Sequence, residues 1–346
     1  MRNFALLVAV LVSAAACGRA QHSVEEIVFR SGPFQLVGDL QLPEGRGPHP
    51  VVVFVHGDGP NNRTSGVTYP PIMERMLGVG FATFAWDKPG TGESTGQIDR
   101  SRLSEQRSQI VLDAIEVLSQ RPDIDAERIG LWGISQAGYV MPRVLEQTDD
   151  VTFMIAVSCA GAPGVEQGLY LLASQMVCLG YPAEEREELR SRLRAFTLAE
   201  TYEEFVRHRE PFADMPAFQA LARFGQRMEI PSREEWHPAD PAREYYGYDP
   251  LEVIRRSRIP ILAVFGERDT QVDPVQGAEA WRAALAQAGN NHSRVVVFPA
   301  TDHNIILSET GCIAERDSRS RSGWRNYAPE YLDLIEEWLR TLQLED

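Results

Sequence analysis

The spacing of apolar positions changes several times along the chain, and each change marks an element. Residues 23–42 alternate, with Val24, Ile27 and Phe29, then Phe34, Leu36, Gly38 and Leu40, on either side of Ser31-Gly32-Pro33. That period predicts two antiparallel strands. Val51–Val55 is instead an unbroken apolar run, Phe81–Trp86, Ile129–Ile134, Val151–Val157 and Ile259–Phe265 are predominantly apolar, and Arg294–Phe298 reads as the last strand. Continuous runs of this length fit strands covered on both faces. Helical spacing predicts elements over Tyr69–Leu77, Ser101–Gln120, Pro274–Ala288 and Pro329–Leu342. In Ser101–Gln120, Leu103, Ile110, Val111, Ala114, Ile115 and Leu118 share one face. Strands alternating with helices predict an α/β fold with a mostly parallel, doubly wound sheet. In such sheets ligands bind beyond the carboxyl ends of the strands, and the small, glycine-rich stretches of this chain fall there.

The alternation stops between residues 163 and 248. Charged helical segments, Glu184–Arg194 and Leu198–Arg209, take over there, with Phe196, Tyr202, Phe205, Phe212, Phe218 and Phe224 interspersed. This stretch is expected to form a helical cap inserted into a core made of residues 23–162 and 249–346. Its aromatics are expected to fill the cap's own interior, and its shape to set the pocket of whatever ligand binds at the strand ends.

Composition narrows the class. The 346 residues carry a formal net charge of −15, which argues against nucleic acid or an anionic membrane surface as a partner. No apolar run after the N-terminus is long enough to span a bilayer. Residues 1–20 read as a signal peptide, with Arg2 ahead of an apolar stretch from Phe4 to Val12 and small residues before Cys17. Two processing routes stay open: cleavage before Cys17 with lipidation of that cysteine, or cleavage after Ala20. Either predicts an exported protein that is periplasmic, secreted or lipid-anchored. Of Cys159, Cys178 and Cys312, one pair could form a disulfide. No cysteine pair has metal-ligand spacing, and no metal or cofactor is expected.

The candidate chemistry centres on Ile129-Gly130-Leu131-Trp132-Gly133-Ile134-Ser135-Gln136-Ala137-Gly138. An apolar strand breaks into small residues around one serine and continues into a helix, the context of a nucleophile elbow. The pattern departs from Gly-x-Ser-x-Gly in having Ala137 at its last position. A serine hydroxyl needs a base to take its proton, and the base needs an acid to fix its tautomer. Asp269 follows the strand ending at Phe265, and His303 follows the strand ending at Phe298. The order Ser135, Asp269, His303 places all three at one edge of the sheet. Asp273, directly before Pro274, is the better helix cap, which leaves Asp269 free for the histidine.

Five stretches together resemble the α/β-hydrolase superfamily: His56-Gly57-Asp58-Gly59-Pro60, Asp87 to Ser94, Arg128 to Ser135, Gly266-Glu267-Arg268-Asp269 and Asp302-His303. Within it, the chain is similar to bacterial exported esterases of the serine aminopeptidase-like and dienelactone hydrolase-like groups. The resemblance implies an α/β-hydrolase fold and an oxyanion hole. One donor would be the backbone N–H of Gln136, the other that of Asp58, with Gly57 adjacent. His56 would organise the loop.

The resulting expectation is a serine hydrolase that cleaves carboxylic esters of small molecules through an acyl-enzyme. An amidase or aminopeptidase with the same triad is the alternative, its substrate ammonium anchored by acids such as Glu184, Glu185, Glu187, Glu203 or Glu204. A non-catalytic binding protein on the same scaffold ranks last.

Overall fold

The structure, a computed structural model, describes residues 22–343 apart from 67, 100–101, 225–228 and 237–246. The signal-peptide expectation, with Cys17, lies outside the described residues. Eight strands form one sheet: β1 (Ser23–Ser31), β2 (Phe34–Leu42), β3 (His49–Val55), β4 (Ala82–Trp86), β5 (Ile124–Ile134), β6 (Val151–Val157), β7 (Ile261–Gly266) and β8 (Arg294–Phe298). Their spatial order is β1-β2-β4-β3-β5-β6-β7-β8. Only β2 runs against its neighbours, pairing antiparallel with β1 and β4, and the remaining pairs are parallel. The alternating stretch thus became the antiparallel edge and the continuous runs became the interior. Every residue of β3 is buried, whereas β1 buries one side of its second half.

Helices cover both faces, as the continuous runs require. On one face α2 (Leu103–Ser119), α3 (Ala137–Leu145) and a later helix over Pro274–Ala288 pack against the sheet through Ile110, Val140, Met141 and Trp281. On the other, α1 (Tyr69–Gly78) and the last helix, Pro329–Leu342, pack through Ile72, Met76, Tyr331 and Trp338.

Between β6 and β7 lies a helical insertion: α4 (Gly164–Cys178), α5 (Ala183–Thr197), α6 (Tyr202–Arg209) and α7 (Pro216–Ala220), with a short α8 (Leu251–Ile254) leading back to the sheet. The helix Pro274–Ala288 is then α9, a short Ile313–Asp317 is α10 and Pro329–Leu342 is α11. The insertion has its own apolar centre. Leu189, Leu193, Phe212 and Phe218 are buried together, and Phe196 meets Phe205, Phe212 and Phe218 edge-on at centroid distances of 5.8–6.3 Å. The Arg209 guanidinium stacks 4.1 Å above Phe218. These rings fill the insertion rather than line a ligand site. A disulfide joins Cys178, at the end of α4, to Cys312 beyond β8, and Cys159 is a free, buried thiol. Among the described residues no helix is long and apolar enough to cross a membrane.

Candidate active site

Ser135 is the first of the two residues between β5 and α3, with φ at +59°. That left-handed conformation costs about 1–2 kcal/mol for a residue with a Cβ, so the surroundings must hold it. Its N–H donates to the Val157 carbonyl at 2.9 Å, and its carbonyl accepts from Gly138 N–H at 2.9 Å. The tight packing of the elbow falls on two glycines. A Cβ on Gly133 would stand 2.6 Å from Ala137 Cβ and 2.7 Å from Met141 Sδ, and one on Gly138 would meet Cys159 Cβ at 2.7 Å. Ala137 is tolerated because its methyl fills the space that Gly133 leaves empty. The departure from the glycine pattern is therefore absorbed four residues upstream, where Gly133 of β5 meets α3.

Asp269 and His303 come together as their order at the sheet edge requires. His303 Nδ1 lies 2.8 Å from Asp269 Oδ2. The other carboxylate oxygen, Oδ1, accepts the N–H groups of Gln271 at 2.7 Å and Val272 at 2.9 Å. Both side chains are buried. With Nδ1 committed to the carboxylate, Nε2 is the nitrogen left for a hydroxyl. The two loops close on each other at Gly266, where a Cβ would strike the Asp302 carbonyl at 2.1 Å. Asp302 itself turns away and pairs with Arg319, while Asp273 caps α9 by accepting from Val275 and Gln276 N–H.

The insertion also grips the acid loop. From α4, the Tyr170 hydroxyl donates to the Asp269 carbonyl at 2.8 Å, Gln175 Nε2 donates to the Thr270 carbonyl at 3.1 Å, and Gln167 donates to the Gln271 carbonyl. Thr270 Oγ1 in turn donates at 2.7 Å to the carbonyl of Gly311, next to the cross-linked Cys312.

The His56-Gly57-Asp58 loop lies directly against the elbow. A Cβ on Gly57 would be 3.2 Å from the Ile134 carbonyl and 3.5 Å from Ser135 Cβ. Lys88 Nζ draws the loop's carbonyls to the far side, donating to Gly57 O at 3.1 Å and Gly59 O at 2.7 Å. Among the described residues, no protein acceptor takes the backbone N–H of Asp58 or of Gln136. Arg107, a residue only 6% exposed, joins the two stretches: its guanidinium donates to the His56 carbonyl and to the Gln136 side-chain carbonyl. Sequence reasoning missed Lys88 and Arg107. The available signal for Arg107 was its place on the apolar face of α2, one turn after Leu103, where a charged residue needs a buried partner.

His56 organises this loop. Nε2 lies 2.6 Å from the Trp86 carbonyl, which can only accept, so Nε2 carries the proton and Nδ1 accepts from the Tyr69 hydroxyl at 2.9 Å. Burial, and then the nearby Lys88 and Arg107 charges, hold its pKa down at about 3. The unfolded chain binds this proton from near pH 6.5 downward and the folded one does not. The His56 contribution is thus fully present above pH 6.5 and is lost as pH falls toward 3, at up to about 1.4 kcal/mol per pH unit. Thermal melts between pH 7.5 and 4 should show His56→Gln with a lower Tm at neutrality but a shallower decline below pH 6.5. Parallel declines for the two proteins would exclude His56 as the source.

Ser135 and His303 share the wall of a cavity of about 510 Å³, together with Gly57, Asp58, Ile134 and Val157. Its aromatic lining is Tyr69, Trp132, Trp324, Tyr327 and Tyr331. These come from α1, β5, the segment leading into α11 and α11 itself. No described residue of the insertion lines the cavity, so the expectation that the insertion shapes the pocket is corrected for the described residues. The pocket opens on the α1–α11 face, and the insertion acts on the site through the acid loop instead.

An eight-stranded sheet of this order, with a serine on a strained strand–helix turn, defines an α/β-hydrolase. The α/β hydrolase family model matches residues 52–313, and the chain belongs to that family. Esterase EstD of Thermotoga maritima is 25% identical over 287 residues, which are 79% of this chain and 59% of that protein. Thiohydrolase aneE of Aspergillus aculeatus is 34% identical over 104 residues, 30% of this chain and 31% of the relative. The chain thus spans less than two thirds of either relative. Among solved structures, Pyrococcus furiosus esterase Pf2001 aligns with a TM-score of 0.54 at 15% identity, covering 92% of this chain and 93% of that one. Proline iminopeptidase from Mycobacterium smegmatis aligns at 0.55 and 15% identity, covering 93% and 99%. At such identities the structures speak for the fold alone. Family and relatives together support hydrolase activity.

Proposed function

We propose that the protein is a serine hydrolase that cleaves carboxylic esters through an acyl-enzyme. The observation that carries this reading is the strained Ser135 sharing one cavity with His303, whose Nδ1 is held by buried Asp269 at 2.8 Å. Ser135 Oγ attacks the ester carbonyl as His303 Nε2 takes its proton. The negative charge that forms on the carbonyl oxygen meets the N–H groups of Gln136 and Asp58. As the C–O bond to the alcohol breaks, His303 returns the proton to the leaving oxygen. A water, deprotonated by His303 in turn, then releases the acid and restores the serine. Lys88 and Arg107 act as positioning residues, since Lys88 bonds to the loop that supplies the Asp58 donor and Arg107 bonds both to that loop and to the Gln136 side chain.

Ester rather than aminoacyl substrates fit the cavity. Glu184, Glu185, Glu187, Glu203 and Glu204 do not line it, and among the described residues its acidic and basic lining, beside the proton-accepting His303, consists of Asp58, Arg316 and Arg321. An ammonium group would find one exposed carboxylate and two arginines there. The test compares 4-nitrophenyl acetate with alanine and leucine 4-nitroanilides, alongside labelling by a fluorophosphonate probe. Faster turnover of the ester, with the probe mapped to Ser135, is expected. Preference for the anilides would favour the aminopeptidase alternative, and absence of labelling would favour a non-catalytic protein.

A further inference from the structure

We infer that the cavity selects esters whose bound portion is an aromatic ring bearing a carboxylate, an inference that rests on the esterase reading. It comes from a local reversal of charge. The chain as a whole is acidic, at −15. Yet residues 316–325, Arg-Asp-Ser-Arg-Ser-Arg-Ser-Gly-Trp-Arg, hold Arg316, Arg319, Arg321 and Arg325 against the lone acid Asp317. This stretch forms one rim of the cavity.

Two of the four arginines are consumed in structure. Arg319, nearly buried, pairs with Asp302 beside His303 and stands 5.6 Å from the Trp324 ring centroid. It thereby fastens the rim to the histidine loop. Arg316 pairs with Asp317 at 2.9 Å and reaches Gln271 Oε1 at 3.3 Å. Arg321 lines the cavity and has no acid partner among the described residues. The rim is anchored further: Cys312 is cross-linked to α4, and Glu315 accepts from Ser308 Oγ at 2.7 Å and Thr310 N at 2.7 Å. Arg321 is thus a cation mounted on a fastened segment, over a cavity walled by five aromatic rings. A planar ring suits those walls, and a guanidinium fork suits a carboxylate.

The test uses two matched pairs, so that the ring can sit on either side of the ester bond. The pairs are 4-acetoxybenzoate with 4-acetoxybenzamide, and monomethyl terephthalate with methyl 4-carbamoylbenzoate. Rates are divided by the uncatalysed hydrolysis rate of each compound. In at least one pair the wild-type kcat/KM should favour the carboxylate by about tenfold, the scale of one charge-assisted hydrogen bond. Arg321→Gln should bring that ratio below about threefold, while Arg325→Gln, which removes the same charge outside the cavity lining, should keep it within the same tenfold scale. Melting curves establish that both variants fold. Equal or better turnover of the carboxamides by the wild type in both pairs would overturn the inference, and so would a preference that survives Arg321→Gln. In either case hydrolysis of 4-nitrophenyl acetate by the same preparation shows that the esterase reading itself stands. Turnover of no ester at all would sink both.

Discussion

Ser135→Ala is expected to lower kcat for ester hydrolysis by about a millionfold, the scale seen when a serine nucleophile is removed from an intact triad. The size follows from the route. Without Oγ no acyl-enzyme forms, and His303 and the two N–H donors can assist only direct attack by water. The fold should be spared. The substitution keeps a Cβ at φ +59°, so backbone strain is unchanged and Tm should move little. Ser135→Gly removes the same hydroxyl and also relieves that strain, and should melt higher than Ser135→Ala by an amount worth about 1 kcal/mol. Steady-state kinetics with 4-nitrophenyl acetate and paired melting curves check both points. Residual activity within a hundredfold of wild type would remove Ser135 from its assigned role.

Arg107→Ala should reduce kcat by about a hundredfold while KM changes less than threefold, because an oxyanion contact strengthens only as charge develops. The side chain does not line the cavity that Ser135 and His303 share. It holds the His56 carbonyl on one side and the Gln136 side chain on the other, and the N–H groups proposed to meet the oxyanion belong to Asp58 and Gln136. Loosening either by an ångström is enough for a loss of about this size. Arg107→Lys keeps the charge but lacks the fork that bridges both acceptors, and should recover only part of the loss. A purely structural role predicts lower Tm with kcat per active site, counted by fluorophosphonate titration, unchanged. Added guanidinium ion restoring activity to Arg107→Ala would mark the bridge itself as the cause.

The sheet and the order of the three site residues could be read along the chain for one reason. Each of Ser135, Asp269 and His303 follows an apolar run that can only be a buried strand, and strand ends share an edge. Asp273 could be set aside as a cap from Pro274 alone. What escaped reading depends on contacts between segments distant in sequence. Lys88 sat in a glycine-rich turn, and nothing nearby says that its ammonium reaches back to Gly57 and Gly59. Arg107 looked like a polar interruption of an apolar helix face. The cavity walls Trp324, Tyr327 and Tyr331 lie in or after an irregular stretch between β8 and α11, where no period announces which side faces the site. The insertion was recognised by its break in pattern, but its length of charge hid α4. That helix carries few charges and serves the acid loop rather than the pocket. Ala137 looked like a weakness in the motif only because the compensating absence is at Gly133, on the preceding strand.

The bonds from α4 to Asp269, Thr270 and Gln271, with the cross-link from Cys178 to Cys312, bear on how such an enzyme can diversify. An insertion joined to its core only through the chain could be exchanged between relatives as a cassette, altering selectivity while leaving the chemistry alone. Here the first helix of the insertion is a splint for the acid that steadies the histidine. Recombination breakpoints placed before α4 should therefore yield folded chimaeras with a loosened acid loop. Breakpoints after Cys178, which leave α4 with its own core, are the ones that allow the rest of the insertion to vary.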